Sequence, residues 1–329
     1  MHEPTASLAV LQRRAALRRT ARSFFEERGV LEVETNLLGA SVVVESHLEP
    51  IHCRVHSPLG APPSTRYLLT SPEGPMKRLL AAGSGPIYQF APAFRDGEIG
   101  PRHAPEFTIL EWYRPDFDHH QLMTEVAEFV ATLLPEHPAD SFERKSYRDL
   151  FREGVGIDPF ATSHAEIAEL LRARGVPLPA RFDDETLDDA LDLILVNLLE
   201  PNFGRARPLF VTDYPASQAA LAQTRDEPYG TVGERFELYI RGVELANGYH
   251  ELADPDEQRR RLEAANQVRE KSGRPPLPID EGLIAALAGD FPPCAGVALG
   301  FDRLVMVAVG AKELNEVRAF PFESPAASR

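Results

Sequence analysis

Cysteine and positive charge are scarce in this sequence of 329 residues, which has two cysteines, Cys53 and Cys294, and 35 basic against 50 acidic side chains. Two cysteines cannot build a disulfide scaffold, so we expect a reducing, cytoplasmic setting. The formal net charge of −15 argues against stable binding to nucleic acid, because phosphate contacts need basic surface. No uncharged apolar run approaches the roughly 18 residues of a membrane span, so no membrane association is expected.

Common nucleotide and metal motifs are also missing. There is no Gly-x-x-x-x-Gly-Lys-Ser/Thr loop, and Gly83–Gly85 lacks the third glycine of a dinucleotide fingerprint. Neither His-Glu-x-x-His nor a paired Cys-x-x-Cys occurs, and on a strand His52 and His56 would share a face that excludes Cys53. The sequence therefore predicts no P-loop, Rossmann or zinc site.

The hydrophobic pattern predicts helices and strands without strict β–α–β alternation, which favours an α+β fold with an antiparallel β-sheet flanked by helices. Residues 11–22 are rich in arginine and could also be an organelle presequence, but helical spacing of apolar residues favours a helix of the fold. No repeat or linker is evident, so we expect a single domain over residues 1–329. The predicted helices cover 8–29, 75–82, 119–134, 183–199 and 255–272, and the predicted strands are Val30–Glu34, Ile87–Phe94, Phe107–Tyr113, Leu209–Thr212, Arg235–Arg241 and Val243–Leu245.

The segment Phe94–Arg114 has the pattern of two strands around a charged loop that contains His103 and Glu106. An arginine that leaves a strand into such a loop, here Arg95, can bind phosphate through paired N–H groups. An aromatic ring such as that of Phe107 can stack on a base. A surface hairpin with solvated charges explains the same pattern without a ligand.

The segment Arg241–Glu251 contains the pair Asn247-Gly248, which predicts a tight turn. Such a turn would bring Glu244 and Glu251 together. Two carboxylates in one cleft suit either magnesium on a nucleoside triphosphate or an ammonium group. An exposed acidic hairpin is the alternative.

The segment Gly296–Arg303 opens a predicted helix. Its glycines allow a ligand to approach the backbone closely. Arg303 lies near the helix start, where free N–H groups also favour anions. A glycine-lined core strand is the alternative.

Together, and in this order, the three segments resemble the catalytic core of class II aminoacyl-tRNA synthetases, whose second signature is an arginine strand–loop–strand and whose third is a Gly-x-Asp-Arg strand–helix. The resemblance extends from about residue 10 to 320 and implies a homodimer. Further segments are similar to lysyl-tRNA synthetases: Thr70–Glu73, Met76–Leu79, Pro105–Phe107, Glu111–Tyr113 and Glu244–Gly248.

The start of the chain distinguishes between members of this family. Lysyl-tRNA synthetases carry an N-terminal OB-fold domain that binds the anticodon, whereas here the catalytic core begins almost at residue 1, so we expect no anticodon-binding domain. The chain is thus similar to shorter paralogues, the elongation factor P–(R)-β-lysine ligases. Segments Leu199–Gly204 and Tyr214–Ala222 also fit these ligases. Ala298 stands where the tRNA enzymes usually have glycine, which would reshape the amino-acid pocket.

The resemblance implies an ATP-dependent ligase. It would activate (R)-β-lysine, or lysine, as an aminoacyl adenylate and then transfer it to a lysine amine of elongation factor P. No general base is evident for that second step. Two alternatives remain open: a lysine-adenylating enzyme with another acceptor (tRNA, a lipid or a small molecule), and a paralogue without catalytic activity.

The same resemblance assigns residue roles. Arg95 and Arg303 would be catalytic, and Mg²⁺ would be held by Glu244 and Glu251. ATP would contact Arg95, Asp96, Glu98, His103, Phe107, Glu244, Leu245, Gly300 and Arg303. The amino acid would contact Ser71, Pro72, Glu73, Glu111, Tyr113, Asn247, Glu251 and Ala298. The chain departs from the usual family pattern at Asn36, Gly74, Gly97 and Ala104.

Overall fold

The computed structural model describes residues 4–56, 60–320 and 322. The predicted domain over 1–329 therefore includes residues 1–3, 57–59, 321 and 323–329, which lie outside the described part. The α-helices are α1 (Leu8–Glu26), α2 (Glu73–Ala81), α3 (His119–Leu133), α4 (Tyr147–Val155), α5 (His164–Ala173), α6 (Leu187–Ile194), α7 (Pro255–Lys271), α8 (Glu281–Leu287) and α9 (Phe301–Val309).

The strands are β1 (Leu31–Glu32), β2 (Leu38–Gly39), β3 (His52–Val55), β4 (Ser64–Leu68), β5 (Ile87–Phe94), β6 (Glu106–Pro115), β7 (Glu143–Ser146), β8 (Leu209–Pro215), β9 (Thr224–Glu227), β10 (Gly230–Ile240), β11 (Val243–His250) and β12 (Cys294–Gly300). Nine of them form one sheet in the order β1-β5-β6-β12-β11-β10-β8-β7, with β9 paired to β10. The pairs β1–β5 and β7–β8 are parallel and the other pairs of this sheet are antiparallel. This mixed, mostly antiparallel sheet flanked by helices confirms the α+β prediction.

Strand β6 shows how the sequence sets the two faces of the sheet. Leu110 and Trp112 are fully buried in the main hydrophobic cluster, together with residues of α1, α3 and α9. Because side chains alternate along a strand, the intervening Glu111 and Tyr113 point to the opposite face, where they line a cavity. One face of the sheet therefore forms the core and the other carries the candidate site.

A second hydrophobic cluster joins α4, α5 and α6 to β8 and β10, with Tyr147 and Tyr214 among its buried members. The helix predicted over 183–199 begins only at Leu187, after Thr186 caps it and exchanges hydrogen bonds with Asp189. It continues as a π-helical turn over Leu195–Leu199. These helices form a wall beside the sheet.

Strands β2, β4 and β3 form a separate three-stranded sheet. Within the residues that the structure describes, no helix is both long enough and apolar enough to cross a lipid bilayer.

Candidate active site

A cavity of about 310 Å³ lies on the face of the sheet opposite the main core. Fifteen of the seventeen residues predicted to bind ATP or the amino acid line it: Ser71, Glu73, Arg95, Glu98, His103, Phe107, Glu111, Tyr113, Glu244, Leu245, Asn247, Glu251, Ala298, Gly300 and Arg303. Pro72 and Asp96 do not. Pro72 precedes α2 as its N-terminal cap, and the backbone N–H of Asp96 donates to the carbonyl of Glu49 at 2.7 Å. The ligand roles of all these residues stay predictions.

The turn predicted at Asn247-Gly248 is wrong. Both residues lie inside β11, where they pair with β10 on one side and with β12 on the other. The reversal occurs instead at Arg241 and Gly242, which have φ angles of 56° and 71°. Gly248 serves packing, since a Cβ there would lie 2.4 Å from the Phe236 ring. Pairing on both sides therefore overrides the local preference of Asn-Gly for a turn.

A bulge in β11 determines which of its side chains face the cavity. Tyr239 pairs with Glu244 and its neighbour Leu238 pairs with Ala246, so β11 carries one extra residue at this point. The bulge shifts the alternation of side chains along β11 by one position. Glu244 therefore lies on the same face of the strand as Asn247, the face that lines the cavity.

The bulge does not bring Glu244 and Glu251 together. They lie seven residues apart along nearly straight chain, which corresponds to roughly 20 Å at about 3.3 Å per residue. The prediction that a turn brings the two carboxylates together is therefore wrong, while their assignment as metal ligands stays a prediction. Glu244 lies beside Arg303, with 3.3 Å between Oε2 and Nη1, whereas Glu251 lies at the other end of the cavity.

The end of the cavity around Glu251 is acidic and contains one buried cation that the sequence analysis did not assign. The Nζ of Lys77 lies 2.6 Å from Glu73 Oε1 and 2.6 Å from Glu251 Oε2, and its side chain is fully buried. Glu111 accepts hydrogen bonds of 2.7 Å from the hydroxyls of Ser71 and Tyr113. The i,i+4 spacing of Glu73 and Lys77 on α2 is the feature of the sequence that could have predicted this ion pair.

The ionisation of these groups reflects burial and mutual repulsion. Burial and the nearby Glu73 raise the pKa of Glu111 to about 7, although Ser71 and Tyr113 oppose the shift. Burial also raises the pKa of Glu251, against the attraction of Lys77. Burial disfavours the charged form of Lys77, but Glu251 and Glu73 outweigh it and raise its pKa. With all groups ionised, three carboxylates and one ammonium give this end a charge of −2.

The other end of the cavity is rich in arginine. Arg303 Nη1 donates to the Glu244 carbonyl at 3.0 Å, and its Nη2 donates to His103 Nε2 at 2.8 Å. Burial and the Arg303 charge lower the pKa of His103, which keeps this acceptor neutral. The guanidinium of Arg95 lies over the Phe107 ring, 5.0 Å from its centroid. Planar cations beside an aromatic face suit a phosphorylated nucleoside.

Asp302 explains how the third segment holds Arg303. This buried carboxylate accepts from the backbone N–H of Thr108 at 3.0 Å and lies 2.5 Å from Arg14 Nη1. The Asp302 carboxylate therefore holds the start of α9 against β6 and α1, and the next side chain, that of Arg303, projects into the cavity. Asp302 and Arg102 also line the cavity, although neither was predicted as a site residue. Arg102 Nη1 donates to the Gly242 carbonyl at 2.6 Å.

The departures from the family pattern have local explanations. Gly97 has a φ of 77°, a conformation that favours glycine over an acid. Ala104 lines the cavity and is 6% exposed. At Gly74 a Cβ would lie 3.3 Å from the Asp280 carboxylate. The side-chain amide of Asn36 donates to the Leu38 carbonyl at 3.1 Å.

Gly296 is required where the acidic end meets β12. A Cβ at this position would lie 2.3 Å from the Tyr113 ring and 2.4 Å from Glu251 Oε1. Ala298, two residues further along the same face, pairs with Glu111 and Asn247 and projects its methyl group into the cavity.

A second cavity of about 880 Å³ adjoins the first and shares Glu45, Leu48, Glu73, Glu244 and Tyr249 with it. Burial and neighbouring carboxylates raise the pKa of both Asp192 and Glu200 in its wall to about 7. Distant segments build this cavity, so no local sequence pattern predicts it. Its nine carboxylates belong to Glu45, Glu73, Asp188, Asp189, Asp192, Glu200, Glu237, Glu244 and Glu257, against three arginines, Arg235, Arg260 and Arg261.

The arginine strand–loop–strand, the antiparallel sheet and the strand–helix that presents Arg303 are the features of a class II aminoacyl-tRNA synthetase catalytic core. The family model of class II tRNA synthetases (D, K and N) matches residues 3–324, and the chain belongs to this family. The resemblance seen in the sequence is thereby confirmed.

Individual relatives indicate which members of this family the chain resembles. The chain is 48% identical over 320 residues to the elongation factor P–(R)-β-lysine ligase of Yersinia enterocolitica, covering 97% of each protein. It is 46% identical over 321 residues to the protein of the same name in Haemophilus ducreyi, covering 98% of this chain and 96% of the relative. The ligase of Yersinia pestis strain Pestoides F is 47% identical over 320 residues, again covering 97% of each protein.

Proposed function

We propose that this chain is an ATP-dependent ligase that attaches (R)-β-lysine, or lysine, to a lysine side chain of elongation factor P. Relatives of about 47% identity over nearly the whole chain carry that name. From the same resemblance we propose that it acts in the cytoplasm as a homodimer, which light scattering on the purified protein tests.

The chemistry has two steps. An oxygen of the amino-acid carboxylate attacks the α-phosphorus of ATP, and the bond to the bridging oxygen breaks to release pyrophosphate. The acceptor amine then attacks the carbonyl carbon of the adenylate. The bond to AMP breaks and the nitrogen loses a proton, leaving an amide. Both steps depend mainly on positioning and on stabilising developing charge.

The observation that carries the proposal is the division of charge along the first cavity. Its acidic end can hold a charge of −2 around Lys77, which complements the two ammonium groups of a lysine-like substrate. Its other end presents Arg95 and Arg303 to an anion. The substrate carboxylate would lie between the two ends, facing the α-phosphate. Pairing each buried charge matters, because an unpaired one is costly.

A divalent cation fits the arginine end. Carboxylate oxygens are the ligands that Mg²⁺ prefers. Glu244 lines both cavities, and its carboxylate lies beside Arg303. When bound there, Mg²⁺ would neutralise part of the triphosphate charge. Arg95 and Arg303 would remain the protein's own contacts to the phosphates.

The second cavity suits the approach of the acceptor. Its carboxylates would attract a lysine ammonium, and it meets the first cavity at Glu244 and Tyr249. The acceptor amine must lose a proton before it attacks. Asp192 and Glu200, with pKa values of about 7, are groups in this wall suited to take it.

Incubation with ATP, Mg²⁺, (R)-β-lysine and elongation factor P, followed by intact mass measurement, tests the proposal. We expect the acceptor to gain one lysyl unit and AMP to form. Lysine-dependent pyrophosphate exchange without a gain in acceptor mass would contradict it and point to tRNA, a lipid or a small molecule as acceptor. ATP binding without any exchange would point to a non-catalytic paralogue.

A pair of variants tests the second cavity separately. Asp192→Asn should slow transfer to elongation factor P while pyrophosphate exchange continues, because the residue faces the acceptor route and not the first cavity. Asp140→Asn, an exposed aspartate outside both cavities, is the matched control and should change neither rate. Equal loss of both rates in Asp192→Asn would contradict this route.

A further inference from the structure

A cluster of three metal-ligand side chains lies outside both cavities. His119 begins α3, Glu234 lies on β10 and His250 ends β11. One potential ligand atom from each residue lies within 4.8 Å of those of the other two. None of the three lines either cavity, so the proposed ligase reaction does not account for the cluster.

His119 is the least satisfied member of this cluster. It is 3% exposed, and neither ring nitrogen has a hydrogen-bond partner among the described residues. A buried polar group left without a partner is costly, so such a group calls for a specific explanation.

Neighbouring side chains already orient the other two members. His250 Nδ1 lies 2.5 Å from Glu234 Oε2, and Gln223 Nε2 lies 3.3 Å from His250 Nε2. Arg225 is a cation close to this pair: its Nη1 lies 3.9 Å from Glu234 Oε1, while its Nη2 donates to Asp213 at 2.6 Å. A plain Glu234–His250 pair would explain these contacts but would leave His119 unexplained.

We propose that His119, Glu234 and His250 form a binding site for a divalent transition-metal ion, with Zn²⁺ the best match. Two imidazoles and one carboxylate are a common zinc ligand set, with water in the fourth position. Bonds of about 2.0–2.1 Å require ligand atoms roughly 3.3 Å apart in a tetrahedron, so the three side chains would have to rotate towards the ion as it binds. The ion would tie α3 to β10 and β11, one residue before Glu251.

The test is a titration of the full-length protein after it has been stripped with a chelator. Zn²⁺ binding is followed by calorimetry, and Co²⁺ binding by the visible absorption of a tetrahedral complex. We expect one equivalent to bind and the melting temperature to rise. Glu244→Gln should retain this binding, which separates it from any cation at the proposed nucleotide site.

Three variants locate the ion. His119→Phe fills the buried volume without a ligand atom, and Glu234→Gln keeps a hydrogen-bond acceptor for His250. Each should weaken binding at least tenfold. His120→Ala, at the exposed neighbour of His119, is the control and should bind as the wild type does.

Unchanged affinity in Glu234→Gln and His119→Phe would overturn the proposal, as would binding that disappears in Glu244→Gln. If His119→Phe does not fold, the result for Glu234→Gln decides. Absence of Zn²⁺ and Co²⁺ binding by the wild-type protein would also overturn it.

Discussion

Replacing Glu111 by glutamine should stabilise the free protein at alkaline pH while strongly weakening its proposed binding of lysine. The carboxylate is 2% exposed and lies near Glu73, and its pKa is raised to about 7. An amide of the same shape removes that charge, and the Ser71 and Tyr113 hydroxyls that contact Glu111 can both donate to and accept from it. Stability and function therefore make opposite demands on this position.

The magnitude follows from the pKa. A carboxyl group with a higher pKa in the folded protein holds its proton more tightly there, so its contribution to stability falls as pH rises. For Glu111 the fall begins near the ordinary value of 4.5 and is complete above about 7. At about 1.4 kcal/mol per pH unit, the full penalty is at most about 3.5 kcal/mol. Glu111→Gln should recover this at pH 8 and almost none of it near pH 4.5.

Urea denaturation at pH 5 and at pH 8 measures the effect. Glu106→Gln, at a more exposed glutamate on the same strand, is the control and should stay within about 0.5 kcal/mol of wild type. A Glu111→Gln variant that is no more stable than wild type at pH 8, or whose advantage is the same at both pH values, would refute the reasoning.

The same group links substrate binding to pH. An ammonium bound beside Glu111 favours the carboxylate, so wild-type protein should release protons on binding lysine near pH 7, and its affinity should rise with pH through about 7. Calorimetry in two buffers of different ionisation enthalpy measures this release. Glu111→Gln should release fewer protons and bind at least roughly 30-fold more weakly, from about 2–5 kcal/mol for one partner of a buried charge pair.

Three further substitutions test the cavity from different sides. Gly296→Ala should weaken lysine binding at least roughly 100-fold and leave the KM for ATP nearly unchanged, because its Cβ would overlap Tyr113 and Glu251; equal effects on both substrates in pyrophosphate exchange would contradict this. Lys77→Met should lower the free energy of unfolding in urea by about 3–5 kcal/mol at pH 8, because it leaves Glu251 without its buried partner. The loss should be smaller at pH 5, where the carboxylates can take up protons. An equal loss at both pH values would argue against a charge effect. Arg303→Ala should reduce adenylate formation by about 10²–10³-fold, and near-normal pyrophosphate exchange would show that its proposed phosphate contact is wrong.

Periodicity was enough to predict the larger elements of the fold. Apolar residues on α3 and the alternation along β6 are long patterns, and both elements occur where predicted. Strands β7 and β9 were missed because each has four residues rich in charge. Such short strands form because a long neighbour pairs with them, β8 for β7 and β10 for β9, and a local sequence pattern does not contain that information.

The sequence predicts which residues form the candidate site better than it predicts how they are arranged. Family motifs indicated most of the cavity lining, yet the Asn247-Gly248 pair indicated a turn that pairing with two neighbouring strands prevents. The bulge that turns Glu244 towards the cavity arises from the register between β10 and β11. His119, Glu234 and His250 come from three elements whose proximity depends on the whole sheet. Contacts between distant segments cannot be obtained from local spacing.

The buried ammonium of Lys77 gives the acidic end a means of selecting its substrate by charge. Without it, Glu73, Glu111 and Glu251 would place a charge of −3 against the +2 of a lysine-like amino acid, and one carboxylate would stay unpaired or protonated. With it, the charges balance when both ammonium groups are bound as proposed. An amino acid with a neutral side chain would leave a carboxylate buried without a partner, a cost that shape alone does not impose. Discrimination against such amino acids should therefore weaken at low pH, where the same carboxylates become neutral.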